Sequence, residues 1–204
     1  MAKREINPIL DISEILIPID TEELFGNTRP CALEIGFGDG DFLIETAGIR
    51  PDSNFIGIEI KKKRFNKAVK RAHRRKVPNI KFLHMDANIA LTEIFKPDTF
   101  NEIYINFPDP WPKDKHEKNR IMKVEFLSNL SIVLRGGGKL EIASDHRSYI
   151  EESLETLNHM SVFINNYAEP GYQNELEERI ETKFEKGFRE DGRKIYYLMF
   201  TNSN

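Results

Sequence analysis

The chain alternates short apolar segments with segments of helical periodicity, and this alternation constrains its fold more than any other feature. The apolar segments predict strands, because turn-forming residues bound them and several are rich in β-branched and aromatic residues. The predicted strands are 31–35, 54–60, 79–86, 101–107, 139–145, 162–167 and 194–200. Strands that alternate with helices predict a right-handed parallel sheet with helices on both faces. A turn at Asp191 and Gly192 predicts that the last strand arrives by a hairpin and runs antiparallel to its neighbour.

Residues 1–30 carry several proline and glycine breakers, and we interpret them as an N-terminal extension with a short helix near Thr21–Phe25. Residues 31–204 are expected to form a single domain, with helices at 61–76, 120–134, 149–157 and 174–180. The second of these helices is expected to end at the three glycines 136–138. The sequence has no signal-peptide pattern and no apolar run near the ~20 residues that a membrane span requires. A single cysteine, Cys31, fits a reducing compartment, so we expect a soluble, cytoplasmic protein.

The net charge of −3 is unevenly distributed along the chain. Between Lys61 and Lys81 there are eleven Lys or Arg residues and no Asp or Glu. The helix predicted at 61–76 buries an apolar stripe and has no acids with which to form i,i+4 ion pairs, which favours contact with phosphates. A solvated helix face is the alternative. The candidate RNA contacts on this helix are Lys62, Arg71 and Arg74, and its expected buried stripe is Phe65, Ala68, Val69 and Ala72.

A glycine-rich turn follows the first strand, with glycines at 36, 38 and 40 after Glu34. Glycines allow a tight turn and a close approach of the backbone to a ligand. The dinucleotide fingerprint requires glycine or alanine where this chain has Asp41, which disfavours a pyrophosphate. Glu59, nineteen positions after Gly40, ends the next strand and predicts a carboxylate that accepts both ribose hydroxyls of a nucleoside. A plain βα turn and a surface glutamate are the alternatives.

The segment 104–113 contains three prolines within five residues, which cannot continue a strand or a helix. Proline also biases the preceding residue towards extended geometry, so we expect a stiff arm leaving the end of the fourth strand. The arm carries Asp109 and Trp111, the only tryptophan of the chain. A rigid turn with Trp111 as a core plug is the alternative. Loops beyond strand ends hold the chemistry of open α/β sheets, which favours a site at Asp109.

Several of these segments occur together in one enzyme family. The sequences LEIGFGDG at 33–40, FIGIE at 55–59 and NFPDPWPK at 106–113 resemble those of the bacterial tRNA (guanine-N7)-methyltransferases. Ser144-Asp145, TKFEKG at 182–187 and the basic tail up to Arg120 extend the resemblance to roughly residues 30–200. It implies a Rossmann-like class I methyltransferase fold, an α/β sandwich whose seven-stranded sheet is mostly parallel with an antiparallel last strand. The implied cofactor is S-adenosylmethionine, and the implied methyl acceptor is a guanine in the variable loop of tRNA.

The resemblance also implies roles for individual residues. Those implied at the cofactor are Glu34, Gly36, Gly38, Gly40, Glu59, Asp86, Ala87 and Asp109. Those implied at the guanine are Lys113, Asp145, Thr182, Lys183, Phe184 and Glu185. Those implied on the RNA are Lys115, His116, Lys118, Asn119 and Arg120. Asp114 and Glu117 interrupt this tail, which is often more uniformly basic in the family.

Guanine N7 carries an in-plane lone pair, so its methylation requires no strong base, cysteine nucleophile or metal. No His, Cys, Asp or Glu cluster has metal-ligand spacing, and we expect no metal. The reaction requires in-line placement of N7 and stabilisation of the positive charge that moves onto the purine. Asp109 is therefore the expected catalytic residue, and Asp145 is the alternative.

Three other functions remain open from the sequence. A methyltransferase of another RNA or of a small molecule fits the glycine turn, but a small-molecule enzyme leaves the basic helix without a role. A non-catalytic RNA-binding subunit with the same fold is disfavoured by intact acids at three strand ends, Glu34, Glu59 and Asp86. A nicotinamide dehydrogenase is disfavoured by Asp41. The expected partner is tRNA, without a membrane, and the protein is expected to be a monomer or homodimer.

Overall fold

A computed structural model describes residues 7–109, 120–177 and 179–204, with the backbone but not the side chain of Lys183. The chain forms two compact units, Met1–Lys96 and Pro97–Asn204. Its seven-stranded sheet has the strand order β3-β2-β1-β4-β5-β7-β6, numbered along the chain. The predicted α/β fold with an antiparallel last strand is confirmed. In the parts of the chain that the structure describes, no helix combines the length and apolar character that crossing a membrane requires.

The first unit contains three parallel strands, β1 (Cys31–Ile35), β2 (Asn54–Ile58) and β3 (Ile80–Leu83). Every residue of β1 and β2 is buried, as expected for parallel strands covered on both faces. The helices of this unit are α1 (Thr21–Phe25), α2 (Asp41–Ile49), α3 (Lys62–Arg75) and α4 (Ala87–Ile89), which continues as a π-helical turn at Ala90–Ile94.

The segment before β1 is hydrogen-bonded to the first unit. The backbone of Phe82 in β3 exchanges hydrogen bonds with Pro8 and Leu10, and the Ile19 N–H donates to the carbonyl of Ile94 at 2.7 Å. Leu10 and Ile19 are buried. The helix expected near Thr21–Phe25 is present, capped at its start by Asp20 and at its end by left-handed Gly26.

The second unit contains β4 (Phe100–Asn106) parallel to β5 (Leu134–Ser144), β7 (Tyr196–Asn202) antiparallel to β5, and β6 (Phe163–Asn165) antiparallel to β7. Its helices are α5 (Val124–Val133), α6 (Arg147–Asn158) and α7 (Lys183–Glu190). The turn at Asp191 and Gly192 joins helix α7 to β7 and therefore does not form the expected hairpin, although β7 is antiparallel to both of its neighbours.

Two local predictions fail in the second unit. Helix α5 ends at Val133, and the glycines 136–138 lie inside β5 at a shift in register, where pairing passes from Phe100–Leu134 to Glu102–Lys139. The helix expected at 174–180 is not formed by the residues described there. In this segment the side-chain amide of Asn174 donates to the carbonyl of Ile195 at 2.7 Å.

Candidate active site

The glycine turn connects β1 to α2 in the first unit. Gly36, Gly38 and Gly40 have φ values of +72°, +59° and +75°, in the left-handed region that favours glycine. A Cβ atom added to Gly40 would lie 2.8 Å from Cβ of Ala68, so this glycine allows α3 to pack closely. A Cβ atom at Gly36 would meet nothing within 4 Å. The turn is therefore tight against α3 on one side and open at Gly36.

Glu59 fixes this turn from the end of β2. Its Oε2 accepts the N–H of Gly38 at 2.9 Å, and its Oε1 accepts the N–H of Lys61 at 2.7 Å. The residue is only 5% exposed. A carboxylate has about four lone-pair sites, so two backbone bonds leave capacity to accept the hydroxyls of a diol. Glu59 thus lies where the sequence predicts a ribose acceptor and also holds the glycine turn.

Two other acids of the first unit lie at the predicted strand ends. Glu34 is buried on β1, in register with Gly57 of β2. Asp86 caps α4, and its Oδ1 accepts the N–H groups of Asn88 at 2.9 Å and Ile89 at 3.4 Å. Ala87 begins the capped helix. The first unit therefore orients Glu59 and Asp86 through backbone donors.

Helix α3 does find acidic partners, which the sequence argument overlooked. Lys67 pairs with Asp39 at 2.5 Å, and Arg71 pairs with Asp41 and with Glu45. Those acids lie in the glycine turn and in α2, so a search for i,i+4 pairs within α3 could not reveal them. Arg71 is consequently held inside the first unit. Lys62 and Arg74 are exposed and, within the described part of the chain, form no ion pair; Phe65, Ala68 and Ala72 are buried and Val69 is partly buried.

In the second unit, the proline arm leaves β4 through Phe107. Its N–H donates to the carbonyl of Ala143 at 2.8 Å, and its φ is +49°. The prediction of extended geometry before Pro108 is therefore wrong at this residue. A left-handed non-glycine residue costs about 1–3 kcal/mol and persists only where its surroundings hold it. The ring of Phe107 packs against Phe188, with centroids 5.5 Å apart.

Asp109 is exposed, two residues beyond Phe107. The remainder of the arm and most of its basic tail lie outside the described residues, so the roles predicted there stay predictions: Lys113, Lys115, His116, Lys118 and Asn119. Arg120 is described and forms an ion pair with Glu152 of α6.

Asp145, at the end of β5, is paired with an arginine. Its Oδ2 accepts from Nη1 of Arg193 at 2.9 Å, and its side chain is only 8% exposed. The guanidinium of Arg193 also lies 5.0 Å from the ring centroid of Phe188.

The segment predicted to contact the guanine forms the start of α7. Thr182 and Glu185 make a capping box: the Glu185 N–H donates to Thr182 Oγ1 at 2.9 Å, and the Thr182 N–H donates to Glu185 Oε2 at 2.6 Å. Glu185 is 0% exposed, whereas Phe184 is 46% exposed. The side chain of Lys183 lies outside the described atoms. As the structure stands, Phe184 is accessible to a base and Glu185 is not.

A buried ionic cluster surrounds Arg179, a residue that sequence reasoning missed. The guanidinium donates to Glu141, Glu185 and Asn106 and lies 5.1 Å from the ring centroid of Tyr197. Burial raises the pKa of Glu141, although the charge of Arg179 opposes this rise. Burial lowers the pKa of Arg179, but the charges of Glu141 and Glu185 outweigh it and keep this pKa above its usual value. The signal available in the sequence was that Arg179 is the single basic residue in the acidic segment 174–180.

The hydroxyl of Tyr197 completes this cluster by donating to Glu185 Oε1 at 2.6 Å. Burial and this hydrogen bond raise the pKa of Tyr197 to about 12. Tyr197 is therefore a neutral donor at physiological pH. Among the residues whose positions are described, no group of three His, Cys, Asp or Glu side chains could hold a metal ion.

Comparisons with known proteins identify the family of the chain. A family described as "Putative methyltransferase" matches residues 28–198. The tRNA (guanine-N(7)-)-methyltransferase of Thermotoga maritima is 35% identical over 182 residues, covering 89% of this chain and 57% of the relative, so the chain spans little more than half of that protein. The Saccharophagus degradans protein of the same name is 35% identical over 195 residues, covering 91% of this chain and 81% of the relative.

The crystal structure of the 16S rRNA methyltransferase KamB has a TM-score of 0.64 to this chain, at 18% identity, covering 90% of this chain and 93% of that one. This likeness concerns the fold. The extent and identity of the matches to the relatives decide the family. The chain belongs to the tRNA (guanine-N(7)-)-methyltransferase family.

Proposed function

We propose that this protein transfers a methyl group from S-adenosylmethionine to N7 of a guanine in the variable loop of tRNA. The observation that carries the proposal is the left-handed glycine turn tied to the carboxylate of Glu59. The names of the relatives support the nucleobase and the RNA class. Because tRNA is the proposed substrate, we also propose that the protein acts in the cytoplasm.

The residues present fit the cofactor. Space beside Gly36 allows a ligand to approach the backbone, and Glu59 retains lone pairs for a ribose diol. The residues that would hold S-adenosylmethionine are Glu34, Gly36, Gly38, Gly40, Glu59, Asp86, Ala87 and Asp109. When bound, this cofactor supplies an electrophilic methyl group on a positively charged sulfur.

The remaining contribution of the protein to the reaction is to position the reacting groups. N7 attacks with its own lone pair, so no side chain needs to remove a proton before the methyl group moves. Burial raises the pKa of the Cys31 thiol, which disfavours its thiolate at neutral pH. Positive charge develops on the purine, and a fixed carboxylate near the base stabilises it. Asp109 is the proposed group, with Asp145 as the alternative.

The RNA is proposed to be held by exposed cations and one aromatic ring. Lys62 and Arg74 project from α3 into solvent, where they can contact phosphates. The half-exposed ring of Phe184 offers a surface for base stacking. The residues of the tail proposed to contact the RNA are Lys115, His116, Lys118, Asn119 and Arg120, and Lys113 and Lys183 are proposed at the guanine.

The test is methyl transfer to a tRNA transcript. Protein, methyl-labelled S-adenosylmethionine and the transcript are incubated together, and nucleoside analysis by mass spectrometry identifies the product. We expect 7-methylguanosine at one position of the variable loop. A matched transcript with 7-deazaguanine at that position lacks the acceptor nitrogen and should remain unlabelled. Label at another atom, label only in small molecules, or cofactor binding without transfer would each overturn the proposal in favour of an alternative function.

A further inference from the structure

Arg179 connects three separate segments of the second unit. Its Nε donates to Glu141 of β5 and its Nη1 to Glu185 of α7, each at 2.5 Å, and its Nη2 donates to the amide oxygen of Asn106, the last residue of β4. Its side chain is 6% exposed. A planar guanidinium can meet three acceptors in fixed directions, whereas an ammonium group has no such geometry.

The same contacts commit Glu185 to the interior. Oε1 accepts from Arg179 and from the hydroxyl of Tyr197, and Oε2 accepts the N–H of Thr182. Three of about four lone-pair sites are therefore used within the protein. A base could reach Glu185 only if this cluster opened. Glu185 thus acts on Thr182 and Arg179 in this arrangement.

The cluster lies at the root of the arm that carries Asp109. Asn106 precedes Asp109 by three residues, and the intervening Phe107 packs its ring on Phe188 of α7. Arg179 therefore links the end of β4 to the capped start of α7. A buried ion pair is often no more stabilising than apolar packing, so stability alone does not explain why this cluster contains charges. The fixed hydrogen-bond directions of the guanidinium suit a role in placing the end of β4 against the start of α7.

We propose that Arg179 is a positioning residue for the methyl transfer, and that Glu185 acts through Arg179 and Thr182 rather than on the guanine. Arg179 holds the root of the Asp109 arm and the start of α7 in one arrangement. The inference rests on the proposed function for its kinetic readout. Its structural readout is independent of activity.

The first test compares Arg179→Lys and Asn106→Ala with Arg147→Lys. Arg147 forms an exposed ion pair with Glu151 in the same unit and serves as the matched control. We expect both test variants to lower kcat at least about tenfold, because misplacement of reacting groups acts on turnover. The KM for S-adenosylmethionine should change less than kcat, since seven of the eight residues proposed to hold the cofactor lie in the first unit and only Asp109 lies on the arm. The control should match wild type in both parameters.

Asn106→Ala keeps both ion pairs of Arg179, so it provides the answer if Arg179→Lys does not fold. A cooperative thermal unfolding transition establishes that each variant is folded. Fluorescence of Trp111, the only tryptophan, reports on the arm without any catalysis. We expect its emission maximum or its acrylamide quenching to change in both test variants and not in Arg147→Lys. Wild-type turnover and fluorescence in folded Asn106→Ala would overturn the proposal.

The second test concerns Glu185 and uses a tRNA whose target guanine is replaced by inosine, which lacks the exocyclic amino group. If Glu185 accepted a hydrogen bond from that amino group, Glu185→Gln would lose selectivity for guanine over inosine in kcat/KM. The inference expects a lower kcat with the selectivity ratio preserved. Loss of the ratio would assign Glu185 to the guanine. Absence of 7-methylguanosine with the wild-type protein would instead count against the proposed function, while the fluorescence result would still decide the role of Arg179.

Discussion

Two acids that follow strands of the first unit face different donors from three acids of the second unit. In the first unit, Glu59 and Asp86 accept hydrogen bonds from backbone N–H groups. In the second unit, Glu141 and Glu185 face Arg179, and Asp145 faces Arg193. Backbone donors orient a carboxylate while leaving its net charge for a ligand, whereas an arginine neutralises that charge. The comparison predicts ligand contacts for Glu59 and Asp86 and largely internal roles for Glu141, Asp145 and Glu185.

The largest effect is expected at Asp109, an exposed acid of the second unit. Asp109→Ala should lower the single-turnover rate at least ~10²-fold, the scale for losing one preorganised electrostatic partner. Asp109→Asn keeps the shape and removes the charge, so the two variants separate positioning from electrostatics. Assays at saturating cofactor and tRNA provide the rate. A nearly wild-type rate would break the comparison, because Asp145 would then become the candidate despite its arginine partner.

The next effect is expected at Glu59. Glu59→Ala removes the ribose acceptor and the bond that holds Gly38, and charge-assisted bonds of this kind contribute about 1.5–3 kcal/mol, or ten- to a hundredfold in affinity. Calorimetry should show this loss for S-adenosylmethionine with little change for tRNA. Glu45→Gln, which removes an acid paired with Arg71 and Arg75, is the control and should retain cofactor affinity. Equal cofactor affinity in Glu59→Ala would contradict a ligand role for the acids of the first unit.

A smaller effect is expected on the exposed face of α3. Replacement of Lys62 and Arg74 by glutamine should weaken tRNA binding and reduce the slope of log affinity against log salt by roughly 1–2. Each phosphate contact that is lost lowers the number of counterions released on binding. Arg71→Gln should leave that slope unchanged, because Arg71 is already paired within the first unit. Binding titrations at several salt concentrations measure the slopes. Equal slopes in wild type and the double variant would make α3 a solvated face.

The smallest effect is expected in the pH dependence of stability. Burial raises the pKa of Glu141 above its ordinary value of 4.5, so between these two values the folded state binds a proton that the unfolded state releases. The free energy of unfolding contributed by Glu141 therefore falls as pH rises through this window. Urea unfolding from pH 4.5 upwards should show a shallower fall in Glu141→Gln than in wild type. Glu151→Gln, from an exposed pair, should keep the wild-type slope, and identical slopes in all three proteins would refute the assignment.

Local signals in the sequence predicted most of the fold and the glycine turn. Strand positions, the left-handed glycines and the carboxylate after β2 follow from patterns within a few residues. The capping box was also readable, since Thr182 and Glu185 have its spacing, but the family resemblance directed them to the guanine. The partners of Arg71 and Arg179 were not readable, because their acids are distant in sequence and meet them only after folding. Electrostatic roles therefore needed the tertiary structure.

The left-handed Phe107 has a consequence for the independence of the arm. A phenylalanine before a proline does not adopt this backbone conformation by preference, so its contacts with Ala143 and Phe188 must impose it. A synthetic peptide of this segment should then sample extended conformers, and grafting the segment onto another sheet should not reproduce its direction. The direction of the arm therefore depends on α7, and exchanging only one of these two segments between relatives should yield an inactive chimera.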